Sequence, residues 1–518
     1  MSIAGILDRA ARIAPNAVAI AHGPRALHTY AALKARSEAI AGFLKNRLNL
    51  AAGERVALLM KNAPEYVEVM FGIWKAGLVA VPMNAKLHPR EIAYMLEHSG
   101  TTAAFVTVDL AGALNEAGRS VPRLKSIIDV ASSEYSDALK CEAIEGRWAA
   151  LPEDLCWLFY TSGTTGRPKG AMITHRNILA MSASYFIDID MIAPGDSILH
   201  AAPMSHGSGL YIFPHVLGLA TQIIPESGGF DPLEILELAK VHQRLSLFAA
   251  PTMVHRLVNH PAIGDSDLSG LKTIIYGGAP MLVEDVKRAL DVLGPRLAQL
   301  YGQGEAPMCI TGLAKRFYAD RSNPRWEALI GSAGFPQAVV DCAVMDADDR
   351  PLLAGEMGEI CARGESVFAG YWQNEEASAA ALRNGWLHTG DVGVMDKDGF
   401  LTLLDRSKDL IISGGSNIYP REVEEVLLKH EAVSEVSVVG RPHAEWGEEV
   451  VAFVVARPGS NPTAAELDAL CQNHIARFKR PKAYRFLAEL PKSSYGKTLK
   501  RELRDMLAEE TWRDTAVN

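Results

Sequence analysis

The stretch Arg55-Val-Ala-Leu-Leu-Met60 reads as a buried strand, because apolar residues follow one another without alternation. Pro64 then stands where a helix can begin. Behind it Glu65-Tyr-Val-Glu-Val-Met-Phe-Gly-Ile-Trp-Lys-Ala76 places apolar residues at helical spacing. Gly77 ends that helix, and Leu78-Val-Ala-Val81 is the next strand. A strand, a crossing helix and a second strand in so short a span require parallel pairing. A chain organised on this unit is an α/β protein.

Further apolar runs lie at 155–160, 198–204, 245–250, 273–276 and 297–301, each ending in Gly, Ser, Thr or Pro. In open α/β sheets, ligands bind at the carboxyl ends of strands, so these ends are where a site is expected. The texture changes after about residue 325. Ala343-Val-Met-Asp-Ala-Asp-Asp-Arg-Pro-Leu352 and Gly393-Val-Met-Asp-Lys-Asp-Gly-Phe-Leu-Thr-Leu403 both read as hairpins, with Asp and Gly at their turns. They predict a small antiparallel subdomain. Asp405-Arg-Ser-Lys-Asp-Leu410 interrupts the pattern as a charged linker. The fold expected is α/β: a large N-terminal domain of doubly wound sheets with a small antiparallel β subdomain, then a smaller α+β C-terminal domain. The boundaries are 1–406 for the large domain, about 1–325 α/β and about 326–406 β, and 407–518 for the C-terminal domain.

Composition narrows the function. With 518 residues, 48% hydrophobic and 22% charged, the chain has material for a large core and is neither disordered nor stapled. Its formal net charge of −9 argues against a nucleic-acid partner. Cys141, Cys156, Cys309, Cys342, Cys361 and Cys471 are scattered without metal-ligand spacing, which suggests reduced thiols in the cytoplasm. The first residues carry Asp8 and Arg9 and no apolar run, so no secretion signal is expected. The longest uncharged stretch, 197–225, is broken by His, Pro, Gln and Gly, so no integral membrane association is expected.

The sharpest chemical signal is Tyr160-Thr-Ser-Gly-Thr-Thr-Gly-Arg-Pro-Lys-Gly170. Glycines let backbone N–H groups approach phosphate oxygens, hydroxyls add donors, and a lysine adds charge. The Gly-Lys-Ser/Thr ending of a P-loop NTPase is missing, since Pro168 precedes Lys169 and Gly170 follows it. Thr174 is a suitable N-cap for a following helix.

At this loop the chain resembles the adenylate-forming enzymes, which include acyl-CoA synthetases, 4-coumarate-CoA ligases, luciferases and nonribosomal adenylation domains. It is most like a fatty-acyl or aryl-CoA ligase. The resemblance runs from about residue 30 to 504 through Ala202-Pro-Met-Ser-His-Gly-Ser-Gly209, Tyr276-Gly-Gly-Ala-Pro280, Tyr301-Gly-Gln-Gly-Glu305, Trp386-Leu-His-Thr-Gly-Asp391, Asp405-Arg406, Ser413-Gly-Gly-Ser-Asn-Ile-Tyr-Pro-Arg-Glu-Val-Glu424 and Pro491-Lys-Ser-Ser-Tyr-Gly-Lys497.

The resemblance implies ATP, Mg2+ and coenzyme A, and a small-molecule carboxylic acid turned into an acyl-adenylate and then a thioester. Thr161, Ser162, Gly163, Thr164, Thr165, Gly166 and Lys169 would hold phosphates. Gly278, Ala279, Pro280, Tyr301, Gly302 and Gln303 would surround the nucleotide, and Asp391 and Arg406 would hold the ribose. Glu305, with Thr161, would hold Mg2+, and Lys497 would bridge carboxylate and α-phosphate. His206 would stand beside the substrate carboxylate. The C-terminal domain would be mobile about a hinge at Lys408, bringing Gly414 and Gly415 to a pantetheine tunnel. The basic stretch 477–485, Lys479 and Arg480 in particular, would receive CoA. A homodimer is compatible with this reading. Gly304 departs from the pattern, which has a hydroxyl residue there. An adenylating enzyme that loads a separate carrier protein is the alternative, and a catalytically silent ligand-binding homologue is another.

The acyl pocket is expected around His206, Gly209, Gly277, Gly302 and Met308. Small residues there leave room for a bulky acid, which disfavours acetate. No acidic residue lies between 197 and 225 to hold an α-amine, which disfavours an amino acid. A medium- or long-chain fatty acid or an aromatic acid remains, with Met204, Met253, Met281 and Met308 as a soft apolar lining.

Overall fold

The strand–helix–strand unit forms as predicted. In a computed structural model, Arg55–Leu59 and Val79–Met83 pair in parallel, from Arg55 opposite Val79 to Leu59 opposite Met83. The helix Glu65–Lys75 joins them, with Pro64 at its N-terminus and Gly77 at φ +73° just past its end. The structure describes residues 2–144, 149–161, 168–406, 409–413, 416–444, 446–492, 498–508 and 515–516.

The period of two along these strands separates two cores. Val56, Leu58 and Ala80 face a central core shared with the helices Ala4–Ile13, Tyr30–Gly42 and Glu65–Lys75. Ala57, Leu59, Val79 and Val81 face the opposite way, toward Pro89–Ser99 and Ala111–Gly118. Their sheet has six strands in the order Ser126–Asp129, Thr101–Val106, Arg55–Leu59, Val79–Met83, Leu155–Thr161 and Lys169–Thr174.

A nine-stranded sheet lies across the central core. Its order is Phe335–Pro336, Ala306–Leu313, Leu297–Gln303, Leu271–Tyr276, Leu245–Ala249, Ser197–Leu199, Thr221–Ile224, Val18–His22 and Arg25–Thr29. The helices Pro232–Val241, Pro251–Val258 and Val283–Leu293 cover its far face. The result is five layers, with helices between the two sheets and on both outsides.

Both expected hairpins are present in a five-stranded sheet. Val340–Met345 pairs antiparallel with Met357–Gly364, and Trp386–Met395 with Leu401–Arg406. The C-terminal region carries its own sheet, whose longest strands are Val433–His443 and Gly447–Ala456, packed by Pro420–Leu427 and Ala464–His474. Among the described residues no helix is long and apolar enough to cross a membrane.

Three details differ from expectation. The run 198–204 is a strand only over Ser197–Leu199, because the chain leaves the sheet to present His206. The nine-stranded sheet reaches Phe335–Pro336, beyond residue 325. Asp405 and Arg406 end a paired strand rather than forming a linker, with Arg406 opposite Asp391.

Candidate active site

Glu305 sits in the tight turn between Leu297–Gln303 and Ala306–Leu313, and it is buried. Thr161, at the end of Leu155–Thr161, donates its hydroxyl to Glu305 Oε1 at 3.2 Å, and Tyr371 donates to the same oxygen at 2.7 Å. The Lys169 ammonium lies 5.0 Å from the Tyr371 ring centre. Thr161 and Lys169 are register partners in one antiparallel pair, which brings both ends of the Gly/Ser/Thr loop to the carboxylate. Ser162, Gly163, Thr164, Thr165 and Gly166 lie outside the described residues. The donors gathered here are carboxylate and hydroxyl oxygens, a set that fits Mg2+ and not a softer ion.

A second carboxylate stands at the other end of the same turn. Asp391 Oδ2 accepts from the Tyr301 hydroxyl and from Gln303 Nε2, each at 2.7 Å. Gln303 also donates to the Thr389 carbonyl at 2.9 Å, so it ties two points of the strand that carries Asp391. Burial and the neighbouring Asp391 push the Tyr301 phenol well up, which keeps it a donor. Gly278 has φ +82° and open space on its Cβ side, and it is exposed together with Pro280 while Ala279 is half-buried. That exposed ledge follows Leu271–Tyr276. Thus Glu305 and Asp391 are both fixed near the end of Leu297–Gln303, by Tyr301 and Gln303 of that strand and by Thr161 and Tyr371 from two other segments.

His206 precedes the short helix Gly207–Leu210. Its ring meets Phe159 edge-on at 5.1 Å, and Ser205 Oγ lies 3.2 Å from Nδ1. Burial pushes its pKa down to about 4. His206 is therefore neutral at neutral pH and offers a hydrogen bond rather than a charge.

The acyl-pocket glycines serve a different purpose from the one expected. A Cβ at Gly209 would lie 2.0 Å from the Met204 carbonyl, at Gly277 2.7 Å from the Leu300 carbonyl, and at Gly302 2.6 Å from the Ala306 carbonyl. These glycines let backbones approach closely; their missing side chains do not open a chamber. An apolar cluster of Tyr185, Tyr211, Ile275 and Leu300, with Phe248 and Met308 packed on them, lies near the short helix after His206, where a Cβ at Gly207 would stand 2.6 Å from Phe248. Phe248 stacks on Tyr211 at 5.4 Å. Met308, with φ +61°, is the one expected methionine in that cluster; Met204 is in the central core, and Met253 and Met281 lie across the nine-stranded sheet.

Gly304 is packed by its neighbours. A Cβ there would stand 2.3 Å from Thr161 Cγ2 and 2.9 Å from Phe159 Cδ1. The Thr161 methyl thus occupies the space a hydroxyl residue at 304 would need, and Thr161 and Tyr371 supply hydroxyls to Glu305 instead.

In the C-terminal region two of the singled-out cations, Lys479 and Arg480, have carboxylate partners. Lys479 Nζ bonds both oxygens of Glu422 at 2.7 Å, and Arg480 bonds Asp468 at 2.9 and 3.1 Å. Lys479 and Arg480 thus each meet a carboxylate of the same region. Exposed on the same region are Trp446, with the Lys482 ammonium 5.5 Å from its ring, and Phe478, 5.7 Å from that of Lys479. Lys408, Gly414, Gly415 and Lys497 lie outside the described residues, as does the side chain of Arg406.

Sequence reasoning missed Tyr371, and it did not single out the exposed aromatics Trp446 and Phe478. For Tyr371 the available signal is its place beside Trp372 after Gly370, whose φ is +120°. For Trp446 it is a tryptophan in an otherwise charged stretch.

A family model described as AMP-binding enzyme matches residues 7–372, and one described as AMP-binding enzyme C-terminal domain matches 422–497. A feruloyl-CoA synthase from Amycolatopsis sp is 37% identical over 96% of this chain and 97% of that protein. A long-chain-fatty-acid–CoA ligase from Bacillus subtilis (strain 168) is 34% identical over 98% of this chain and 94% of that one. Among solved structures, ATP-bound MatB from Rhodopseudomonas palustris superimposes with a TM-score of 0.89 at 27% identity, covering 98% of this chain and 99% of that one.

Proposed function

The chain belongs to the AMP-binding enzyme family, matched over residues 7–372, and we propose on that premise that it is an ATP-dependent, AMP-forming acid–CoA ligase. The observation that carries this reading is the pair of carboxylates, Glu305 and Asp391, held at the two ends of one turn by Thr161 and Tyr371 and by Tyr301 and Gln303. That spacing suits a nucleotide lying across the strand ends, with phosphates toward Glu305 and ribose toward Asp391.

Activation joins two anions, a carboxylate and the α-phosphate of ATP, so charge must be offset before the oxygen can attack. Glu305 and Thr161 would hold Mg2+, which lowers the phosphate charge when bound. Lys169 stands on the phosphate side, and Lys497 is the proposed bridge between the attacking carboxylate and the α-phosphate. His206, neutral, orients the carboxylate by a hydrogen bond without binding it so tightly as a salt bridge would. Attack expels pyrophosphate and leaves the acyl-adenylate. In the second step a thiol replaces AMP. For this we propose that residues 407–518 turn about Lys408, withdraw Lys497 and bring Gly414 and Gly415 to the thiol's path. Trp446 and Phe478, each with a lysine nearby, are suited to stack on the adenine of CoA.

The proposed acid is aromatic or a medium- to long-chain fatty acid, because Tyr185, Tyr211, Phe248 and Met308 make an apolar cluster and offer no charge. The proposed setting is the cytoplasm, where ATP and CoA are at hand.

The test is pyrophosphate release with Mg-ATP against acids from acetate to palmitate, with cinnamate, coumarate and benzoate, each with and without CoA. CoA-dependent AMP release peaking on one class supports the reading. Pyrophosphate exchange without CoA-dependent AMP release transfers the second step to a carrier protein. No turnover on any acid overturns it.

A further inference from the structure

The small β subdomain holds a cluster that the ligase reaction does not use. Cys361 on Met357–Gly364 is directly opposite His388 on Trp386–Met395. Glu359, two residues before Cys361, shares its face. His388 Nδ1 lies 3.4 Å from Cys361 Sγ and 2.9 Å from Glu359 Oε2. One donor atom from each residue lies within 4.8 Å of the other two, a grouping found once among the described residues.

The cluster is not satisfied by hydrogen bonds alone. Arg383 Nη2 also approaches His388 Nδ1, at 3.0 Å. A single ring nitrogen has one proton or one lone pair, so it cannot serve a thiol, a carboxylate and a guanidinium together. The other ring nitrogen, Nε2, is buried with no hydrogen bond and faces Asp349 Oδ1 at 3.6 Å; the His388 side chain is only 4% exposed. Arg383 has its own partner in Asp349 at 2.8 Å and is half exposed, so it can swing aside.

We propose that Cys361 Sγ, His388 Nδ1 and a Glu359 oxygen form a binding site for a borderline divalent metal ion, Zn2+ by its donor set. Sulfur, imidazole and carboxylate are the donors Zn2+ takes. Metal–ligand bonds of about 2.0–2.3 Å put tetrahedral donors about 3.3–3.6 Å apart; here sulfur and nitrogen are 3.4 Å apart, nitrogen and oxygen 2.9 Å, and all three donors lie within 4.8 Å. Asp349 stands where a carboxylate steadies the second nitrogen of a metal-bound histidine. Binding forms the metal–sulfur bond as the Cys361 thiol releases its proton to solvent, and water is the fourth ligand. Glu359 Oε1 accepts from the Gly390 N–H at 3.0 Å, one residue before Asp391, so the ion would also brace the backbone that carries Asp391.

The experiment uses the full, tag-free chain, stripped by chelator and titrated with Co2+ or Zn2+ in excess Mg2+, which fills the hard oxygen site. One equivalent of retained metal per chain is expected. With Co2+ the spectrum should carry a thiolate-to-metal charge-transfer band and strong tetrahedral visible bands. Cys361→Ser should lose the charge-transfer band, whereas Cys471→Ser, in the C-terminal core, should keep it. Should Cys361→Ser fail to fold, His388→Gln and Glu359→Gln each decide the matter, with affinity lowered about tenfold or more. No retained metal in the native chain, a band that survives Cys361→Ser, or unchanged affinity in both other variants overturns the site. None of these readouts depends on ligase activity.

Discussion

Thr161 gives its hydroxyl to Glu305 across 3.2 Å, joining the end of the six-stranded sheet to a turn of the nine-stranded one. The bond is a direct contact between the two sheets, which must be correctly stacked before this carboxylate is aimed. Both residues flank the place where phosphate is expected, so the architecture and the electrostatics of the site are set together.

Tyr371 completes that arrangement from a third segment, at 2.7 Å from Glu305 Oε1. Tyr371→Phe removes one orienting hydroxyl and leaves the ring. Its expected effect is a rise in the Mg2+ concentration needed for half-maximal pyrophosphate exchange, by about tenfold to a hundredfold, the usual loss when an outer partner of a metal ligand is removed. An unchanged Mg2+ dependence would show that Tyr371 only packs.

Asp391 depends in the same way on Tyr301 and Gln303. A hydrogen bond to a charged group contributes about 1.5–3 kcal/mol, so Tyr301→Phe should raise KM for ATP by roughly tenfold to a hundredfold. The specific sign is in the sugar. If Asp391 reads the ribose, discrimination against 2′- and 3′-deoxy-ATP shrinks in Tyr301→Phe and in Gln303→Ala. Equal discrimination in native and variant enzymes removes the ribose from this part of the mechanism.

How far the sequence could be read follows from the range of each interaction. The unit 55–81 and the two hairpins were legible because their determinants are local: period, Pro64, Gly77, and Asp and Gly at turns. Thr174 caps His175–Ser184 with Asn177 in reciprocal bonds, again a local pattern. Glu305 and Asp391 were singled out because each lies in a motif of the resembled family, Glu305 in the turn after Leu297–Gln303 and Asp391 within the strand Trp386–Met395. The charge of Lys479 was legible, but its neutralisation was not, since Glu422 is 57 residues away and becomes a neighbour only after folding. The glycines misled for a related reason. Gly209, Gly277 and Gly302 are small, and only the fold decides whether the absent Cβ faces a ligand or a carbonyl.

Gly304 gives a packing test. A threonine there would overlap the Thr161 methyl, and overpacking costs about 1–3 kcal/mol. A shift of Thr161 also moves the donor on Glu305, so Gly304→Thr should lower kcat/KM by up to about a hundredfold. Thr161→Ser removes the obstructing methyl and keeps the hydroxyl. The double variant Thr161→Ser, Gly304→Thr should therefore recover much of the loss. Additive losses in the double variant would place the cause elsewhere than in this contact.

Histidine burial sets the acid limit of the fold. His200, with its ring nitrogens 2.8 Å from Ser208 Oγ and 3.0 Å from Gln222 Oε1, is pushed down to about 4 by burial. His175 and His206 are held near 4, and His215 near 3, for the same reason. Unfolded, each binds a proton near pH 6.5, while folded each stays neutral to about pH 4 or below. The unfolded state thus binds more protons in that window, and acidification from about 6.5 toward 4 lowers stability, by about 1.4 kcal/mol per pH unit for each histidine. For His200 the full loss is about 3 kcal/mol. Above about pH 6.5 the contribution is complete and flat. The unfolding midpoint should fall steadily from pH 6.5 to 4.5, and less steeply in His200→Gln, which has no proton to bind. A midpoint that holds level over that range, or an identical slope in the variant, would show that these imidazoles gain protons without leaving the fold.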